Sequence, residues 1–161
     1  MEIELKRRIQ ADFDRQKSLA AIGAQLESVQ NGKVEISCPR PTVPERFGDG
    51  LFSGSVTMPL VEAACVYAAL SAFPEENQIL SVSFQGRTQH PEHTDGLLAS
   101  ARISGHIRDH GRTLVMTECT VSDQHTGKAF AKVTATITFE KNPVKTADTR
   151  SRRPKGCPQG A

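Results

Sequence analysis

The amino-acid sequence predicts an α+β domain: a curled antiparallel sheet of about six strands wrapped around one long buried helix, with a further helix at the N-terminus. Two observations carry this. The stretch "FSGSVTMPLVEAACVYAALSAFP", Phe52 to Pro74, is small or apolar on every face and holds one charged residue, Glu62. Behind it come four runs with the alternation of half-buried strands, separated by turn chemistry.

Taken in order, residues 2–21 place Ile3, Leu5, Ile9, Phe13 and Leu19 among charges, an amphipathic helix that Gly23 ends. "AQLESVQNGKVEISC" reads as two short strands around Asn31-Gly32, a hairpin signal. "PRPTVPERFGDG" is a loop by its prolines and glycines. The apolar stretch follows. Its length and alanine content favour a helix, and a helix apolar all round must be enclosed, with Pro59 in its first turn or two.

The four strand candidates come next. In "ILSVSFQGRTQ", Leu80, Val82 and Phe84 share a face. In "LLASARISGHI" the inward set is Leu97, Ala99, Ala101, Ile103 and Ile107, with Ser100, Arg102, Ser104 and Arg108 opposite. "RTLVMTECTVS" alternates less cleanly, and "KAFAKVTATITF" groups Ala129, Ala131, Val133, Ala135, Ile137 and Phe139. The apolar pattern stops there. Residues 1–140 read as a single domain and 141–161 as a basic, disordered tail.

Composition narrows the function classes. A chain of 161 residues with 37% hydrophobic content suits one soluble domain. A net charge of +2 disfavours nucleic acid as a partner, and the short basic run "RSRRPK" in the tail reads as solvated. No apolar run reaches the ~20 residues of a membrane span, and the charged N-terminus is not a signal peptide, so no membrane is expected. Cys38, Cys65, Cys119 and Cys157 lack metal-ligand spacing and read as free thiols of a reducing, cytoplasmic setting. His90, His93, His106 and His110 sit in turn-like segments without thiolate or HExxH companions. No metal and no cofactor are expected.

The order of elements, together with "AAIGAQLESVQNGKVEIS", Gly111-Arg112 and "TGKAFAKVTATITF", resembles the hotdog-fold thioesterases, of the phenylacetic-acid-degradation and 4-hydroxybenzoyl-CoA thioesterase types. The likeness runs from about Phe13 to Phe139. That family carries His-Gly-Gly, with an acid nine residues after the His. Here "SGSVTMPLVE" puts Ser53 at the His, Gly54 and Ser55 at the glycines and Glu62 at the acid. Phe47 stands where the family often has Gln or Asn. The resemblance implies an acyl-CoA substrate, a site shared between subunits, and a homodimer or dimer of dimers. It also implies basic residues for coenzyme A, for which Arg87, Arg112 and Lys128 are candidates alongside Ser55; coenzyme A would be part of the substrate.

The chemistry fits those residue types. A helix start offers free N–H groups, so the Gly54 N–H can hold a developing oxyanion. Glu62 can activate water or attack the thioester directly. Ser53 either donates a hydrogen bond or caps the helix. Two readings follow: an acyl-CoA thioesterase built on Glu62, or a non-catalytic hotdog module that binds an acyl ligand. A Glu62 kept only for packing or dimer specificity is the plainest alternative.

Overall fold

The structure, a computed structural model, describes residues 2–39, 54–75, 78–89 and 96–140. The Pro-rich loop with Phe47 and Ser53, the histidines His90 and His93, and the tail from Lys141 onward lie outside the described residues.

Two helices, α1 (Glu2–Arg15) and α2 (Lys17–Ala21), lead into β1 (Gln25–Gln30) and β2 (Lys33–Pro39). After the central helix α3 (Gly54–Ala72) come β3 (Gln78–Thr88), β4 (Gly96–Asp109), β5 (Arg112–Asp123) and β6 (Ala129–Glu140). The strands form one antiparallel sheet in the order β1-β2-β4-β5-β6-β3. The expected architecture is present. β3 leaves the meander and pairs with β6, at the far edge from β1.

The N-terminal helix breaks at Gln16, whose backbone is extended (ψ 99°). The break has a packing reason. Ile9 and Phe13 are buried four residues apart, and a straight helix would carry that stripe past Leu19 and Ile22. Resetting the phase at Gln16 keeps all four against the core. Gly23 then closes α2 with φ 71°: its N–H reaches the carbonyl of Ala20 and that of Ala24 reaches Leu19. This pair of bonds is a Schellman closure, and its left-handed position suits glycine.

Three bulges re-aim side chains. Between Ile103 and Gly105 the β4 register slips, so Ile107 turns outward and is 55% exposed. His106 and Arg108 take the inner side instead, against the ring of Phe73 just past α3. Ile107 therefore leaves the inward set that simple alternation gives it. On β3 the slip between Ile79 and Ser81 does the same to Leu80, which is 42% exposed, while Ile79, opposite Phe139, takes the inner side with Val82 and Phe84. On β6 the inward run starts at Ala131, because a slip at Val121/Ser122 leaves Ala129 exposed. β5 alternates more strictly than its composition suggests: its buried positions include Thr113, Thr117 and Asp123. Polar residues on the inner face blur a hydrophobic pattern without breaking the pleat. The β4–β5 turn is a two-residue turn with His110 and Gly111 both at positive φ (47° and 75°), the geometry that matches strand twist.

α3 lies over β2, β4 and β5 but makes no close approach to β3. Val56, Leu60, Val61, Ala64, Cys65 and Ala68 are buried on its sheet side. Cys65 lies against Cys119 of β5. Six residues on, the Ser71 hydroxyl accepts the Gly32 N–H (2.8 Å) and donates to the carbonyl of Ala68 (2.7 Å). These contacts fix the helix direction: its C-terminal end points to the β4–β5 turn, and Gly54 to the end of the sheet holding Gly96 and Asp123. Ser71→Ala would leave the part-buried Gly32 N–H without its partner. It should cost about 1–2 kcal/mol in urea unfolding with the slope unchanged; a cost near zero would show that Ser71 does not pin the helix.

Candidate active site

Glu62 is not enclosed. The sequence places this carboxylate in a helix buried on all sides, yet in the folded chain its side chain is exposed. The reason is geometric: the sheet covers one side of α3, and the stripe through Met58, Glu62, Val66 and Leu70 faces away from it. Met58 on that stripe is 38% exposed.

What lies over the stripe is a groove of about 430 Å³ between α3, the α1–α2 break and β3. Pro59, Glu62, Ala63, Val66, Tyr67 and Leu70 form its floor. Asp12, Gln16, Ser18 and Leu19 form one wall, and Ile79 the other. Ile79 is there because of the β3 bulge. The one carboxylate of the floor thus sits among mostly apolar groups, with polar side chains confined to the α1–α2 wall.

That wall is fastened by Tyr67. Its hydroxyl donates to Asp12 Oδ2 at 2.7 Å, its ring packs on Phe13 with centroids 6.3 Å apart, and the Gln16 side chain also hydrogen-bonds it. Burial, and then the bond to and charge of Asp12, push the hydroxyl's pKa well up. The group stays a neutral donor. The buried Cys38 thiol is likewise held neutral: burial takes it up to about 11, and its Sγ donates to the carbonyl of Ile22.

Gly54 is the first residue of α3, so its N–H is one of the four without an intrahelical acceptor. Eight residues separate it from Glu62, about 12 Å of helix rise. Within one chain the two are too far apart to meet at one carbonyl. Ser55 follows Gly54 in the first turn. Arg87 and Lys128 both lie at the Gly54 end of the sheet: Arg87 pairs with Lys132 of β6, and Lys128 precedes that strand. Asp123 sets the Lys128 turn by accepting the N–H groups of His125 (2.9 Å) and Thr126 (2.7 Å). Arg112 pairs with Glu140 at the opposite end, eight positions and about 27 Å along the strands. The chain brings Arg87 and Lys128 to one end and leaves Arg112 at the other.

No family model matches this chain, and no curated protein does. Solved structures do. A thioesterase family protein from Silicibacter pomeroyi superposes with a TM-score of 0.69 at 22% identity, over 86% of this chain and 99% of that one. The chain has the hotdog fold. The PaaI protein of the phenylacetic acid degradation operon of E. coli matches at TM-score 0.63 and 14% identity, over 86% of this chain and 95% of its own. A hypothetical thioesterase protein from Streptococcus pneumoniae, solved with coenzyme A, gives 0.59 at 17% identity, over 82% and 97%. In hotdog terms, α3 is the helix that the sheet wraps, and β3 is the strand left at the open edge.

Asp12, Gln16, Tyr67 and Ile79 also line the candidate groove, and the sequence alone does not single them out. Steps of three and four from Pro59 through Glu62 and Val66 to Leu70 name the groove floor in advance. Nothing local in α1 announces that Asp12 meets Tyr67, 55 residues on. Tyr67 is the chain's single tyrosine, and there is no tryptophan, so its ionisation can be read alone. The native protein should show no tyrosinate absorbance until pH has risen well beyond the unperturbed value of about 10. Asp12→Ala should move the onset down while burial keeps it raised. An onset near 10 in the native wild type would contradict this environment.

Proposed function

We propose that this protein is an acyl-CoA thioesterase, splitting a thioester with water into a carboxylic acid and free coenzyme A. The observation that carries the reading is Glu62: the one charged residue of α3, exposed in an otherwise mostly apolar groove, eight residues beyond a helix start at Gly54. The solved neighbours that are thioesterases, one of them with coenzyme A bound, support it.

The 12 Å separation argues for two chains at each site. Two α3 helices running antiparallel across a two-fold axis bring Glu62 of one chain level with Gly54 of the partner subunit. The axis then passes near residue 58, midway between them, where exposed Met58 meets its own copy. β3 fits the same arrangement. It is an 11-residue edge strand, exposed along most of its length, and its outer row of backbone groups has no partner among the described residues. Such an edge invites pairing with a second copy. A homodimer, or a dimer of these dimers, is the assembly proposed. The two-fold also carries Arg112 of each chain toward the Lys128 end of its partner, so Arg87, Lys128 and Arg112 gather around coenzyme A phosphates, with Ser55 at the helix start.

In the reaction the partner's Gly54 N–H polarises the thioester carbonyl and holds the oxyanion as the tetrahedral adduct forms. Glu62 takes the proton from the attacking water, or attacks the carbonyl carbon itself and is freed by water in a second step. Collapse of the adduct breaks the C–S bond, and the coenzyme A thiolate leaves and takes up a proton. Ser53, where related sequences place His, would assist as a hydroxyl donor.

A second reading has its own support. Ser53 and Phe47 replace the side chains that the resemblance puts beside the carbonyl, which suits a module that binds acyl-CoA without cleaving it. Turnover separates the two. On a panel of acyl-CoA thioesters, wild type should release free thiol, and Glu62→Gln should lose ~10²–10⁴-fold in kcat with little change in analogue binding. Light scattering of the same preparation should give the mass of two or four chains. Equal turnover by the two proteins would remove Glu62 from the chemistry, and binding without turnover in wild type would establish the module.

A further inference from the structure

Tyr67 borders a second space besides the groove at Glu62. This cavity of about 350 Å³ lies along the same side of α3, between Leu5, Arg8 and Ile9 of α1 and Leu70 and Pro74. Both cavities are lined by Asp12, Tyr67 and Leu70. Asp12 and Tyr67 thus stand between the two spaces, and the 2.7 Å hydrogen bond from Tyr67 to Asp12 forms a bar there.

We infer that the Tyr67–Asp12 pair is the specificity-determining stop for the acyl chain, limiting substrates to short acyl groups that end in the first cavity. This rests on the thioesterase reading and deepens it by naming the substrate class. With the thioester carbon beside Glu62 and coenzyme A leaving toward the solvent side, the acyl tail runs along α3 toward its C-terminal end. Tyr67 is five residues beyond Glu62, about 7.5 Å of helix rise, the reach of an extended chain of about six carbons. A longer chain meets the tyrosine hydroxyl, Asp12 and Gln16, polar groups whose pairing it would have to break without replacing. Past the bar the lining sets apolar Leu5, Ile9, Leu70 and Pro74 beside the exposed Arg8 and Arg15. That space would hold a longer tail if the bar were lifted.

The two members of the bar differ in how they can be altered. Tyr67 is buried against Phe13, so large truncations there risk the core. The Asp12 side chain is half exposed, and its other recorded partner is Arg15 at 4.0 Å. Asp12→Ala unlatches the bar with little loss of packing. Asp12→Asn keeps an oxygen that accepts from the tyrosine hydroxyl.

The test is the acyl-length profile of kcat/KM, from acetyl-CoA to palmitoyl-CoA, for wild type, Asp12→Ala, Asp12→Asn and Tyr67→Phe. Dissociation constants of non-hydrolysable thioether analogues of the same lengths are measured alongside. Wild type should fall off beyond hexanoyl-CoA. Asp12→Ala and Tyr67→Phe should raise the ratio of lauroyl- to butyryl-CoA activity by about tenfold or more, while Asp12→Asn keeps the wild-type profile. The analogue affinities should shift the same way. Wild type that cleaves short and long chains equally, or an Asp12→Ala profile identical to wild type, overturns the stop while leaving the thioesterase standing. Length-dependent analogue binding without turnover would keep the stop and overturn the thioesterase. Neither turnover nor analogue binding would overturn both.

Discussion

The packing of α3 on the sheet governs the rest of the structure. A helix has room for one sheet against it, and here β2, β4 and β5 occupy that side. The consequences are two surfaces that the chain does not cover. One is the stripe of α3 that carries Met58 and Glu62. The other is β3, which extends beyond the reach of the helix at the end of the strand order. The N-terminal helices close part of the first surface through Ile9, Phe13 and the Tyr67–Asp12 bond, and they leave a groove where they stop.

Helix geometry then limits what one chain can do at that groove. A carboxylate and a helix-start N–H eight residues apart lie on one rod at a fixed spacing of about 12 Å, and no side-chain rotation brings them to one carbonyl. A two-fold axis removes the difficulty, because antiparallel copies interchange the two positions. In the proposed dimer the second copy covers the stripe, the exposed Met58 and the open edge of β3 together. This is why a charge can sit on an apolar helix without the cost of full burial. In the single chain Glu62 is solvated, and in the proposed dimer it faces substrate.

Much of this was legible in the residues. The apolar helix from Gly54 to Ala72, the Asn31-Gly32 hairpin and the four later strands all form, because each rests on local periodicity or turn chemistry. The misplaced residues share one cause. Ile107, Leu80 and Ala129 lie beyond β-bulges, and a bulge shifts inward and outward positions without leaving a mark in the hydrophobic pattern. The exposure of Glu62 was not legible, since an apolar helix face that the sheet leaves uncovered looks in sequence like one turned to the core. The Tyr67–Asp12 bond joins residues far apart in the chain and had no local signal. The part of the site around Phe47 and Ser53 lies outside the described residues.

The claim that each site is made by two chains can be measured by mixing two inactive variants. Glu62→Gln removes the carboxylate. Gly54→Pro removes the N–H, at a helix position that accepts proline's ring and fixed φ. Each should be inactive alone. A dimer with one chain of each kind holds one site with both groups intact and one with neither, so unfolding the two together and refolding them should restore about a quarter of wild-type hydrolysis. No recovery in refolded dimers, or full activity in Gly54→Pro by itself, would contradict a site assembled from Glu62 of one chain and Gly54 of the other.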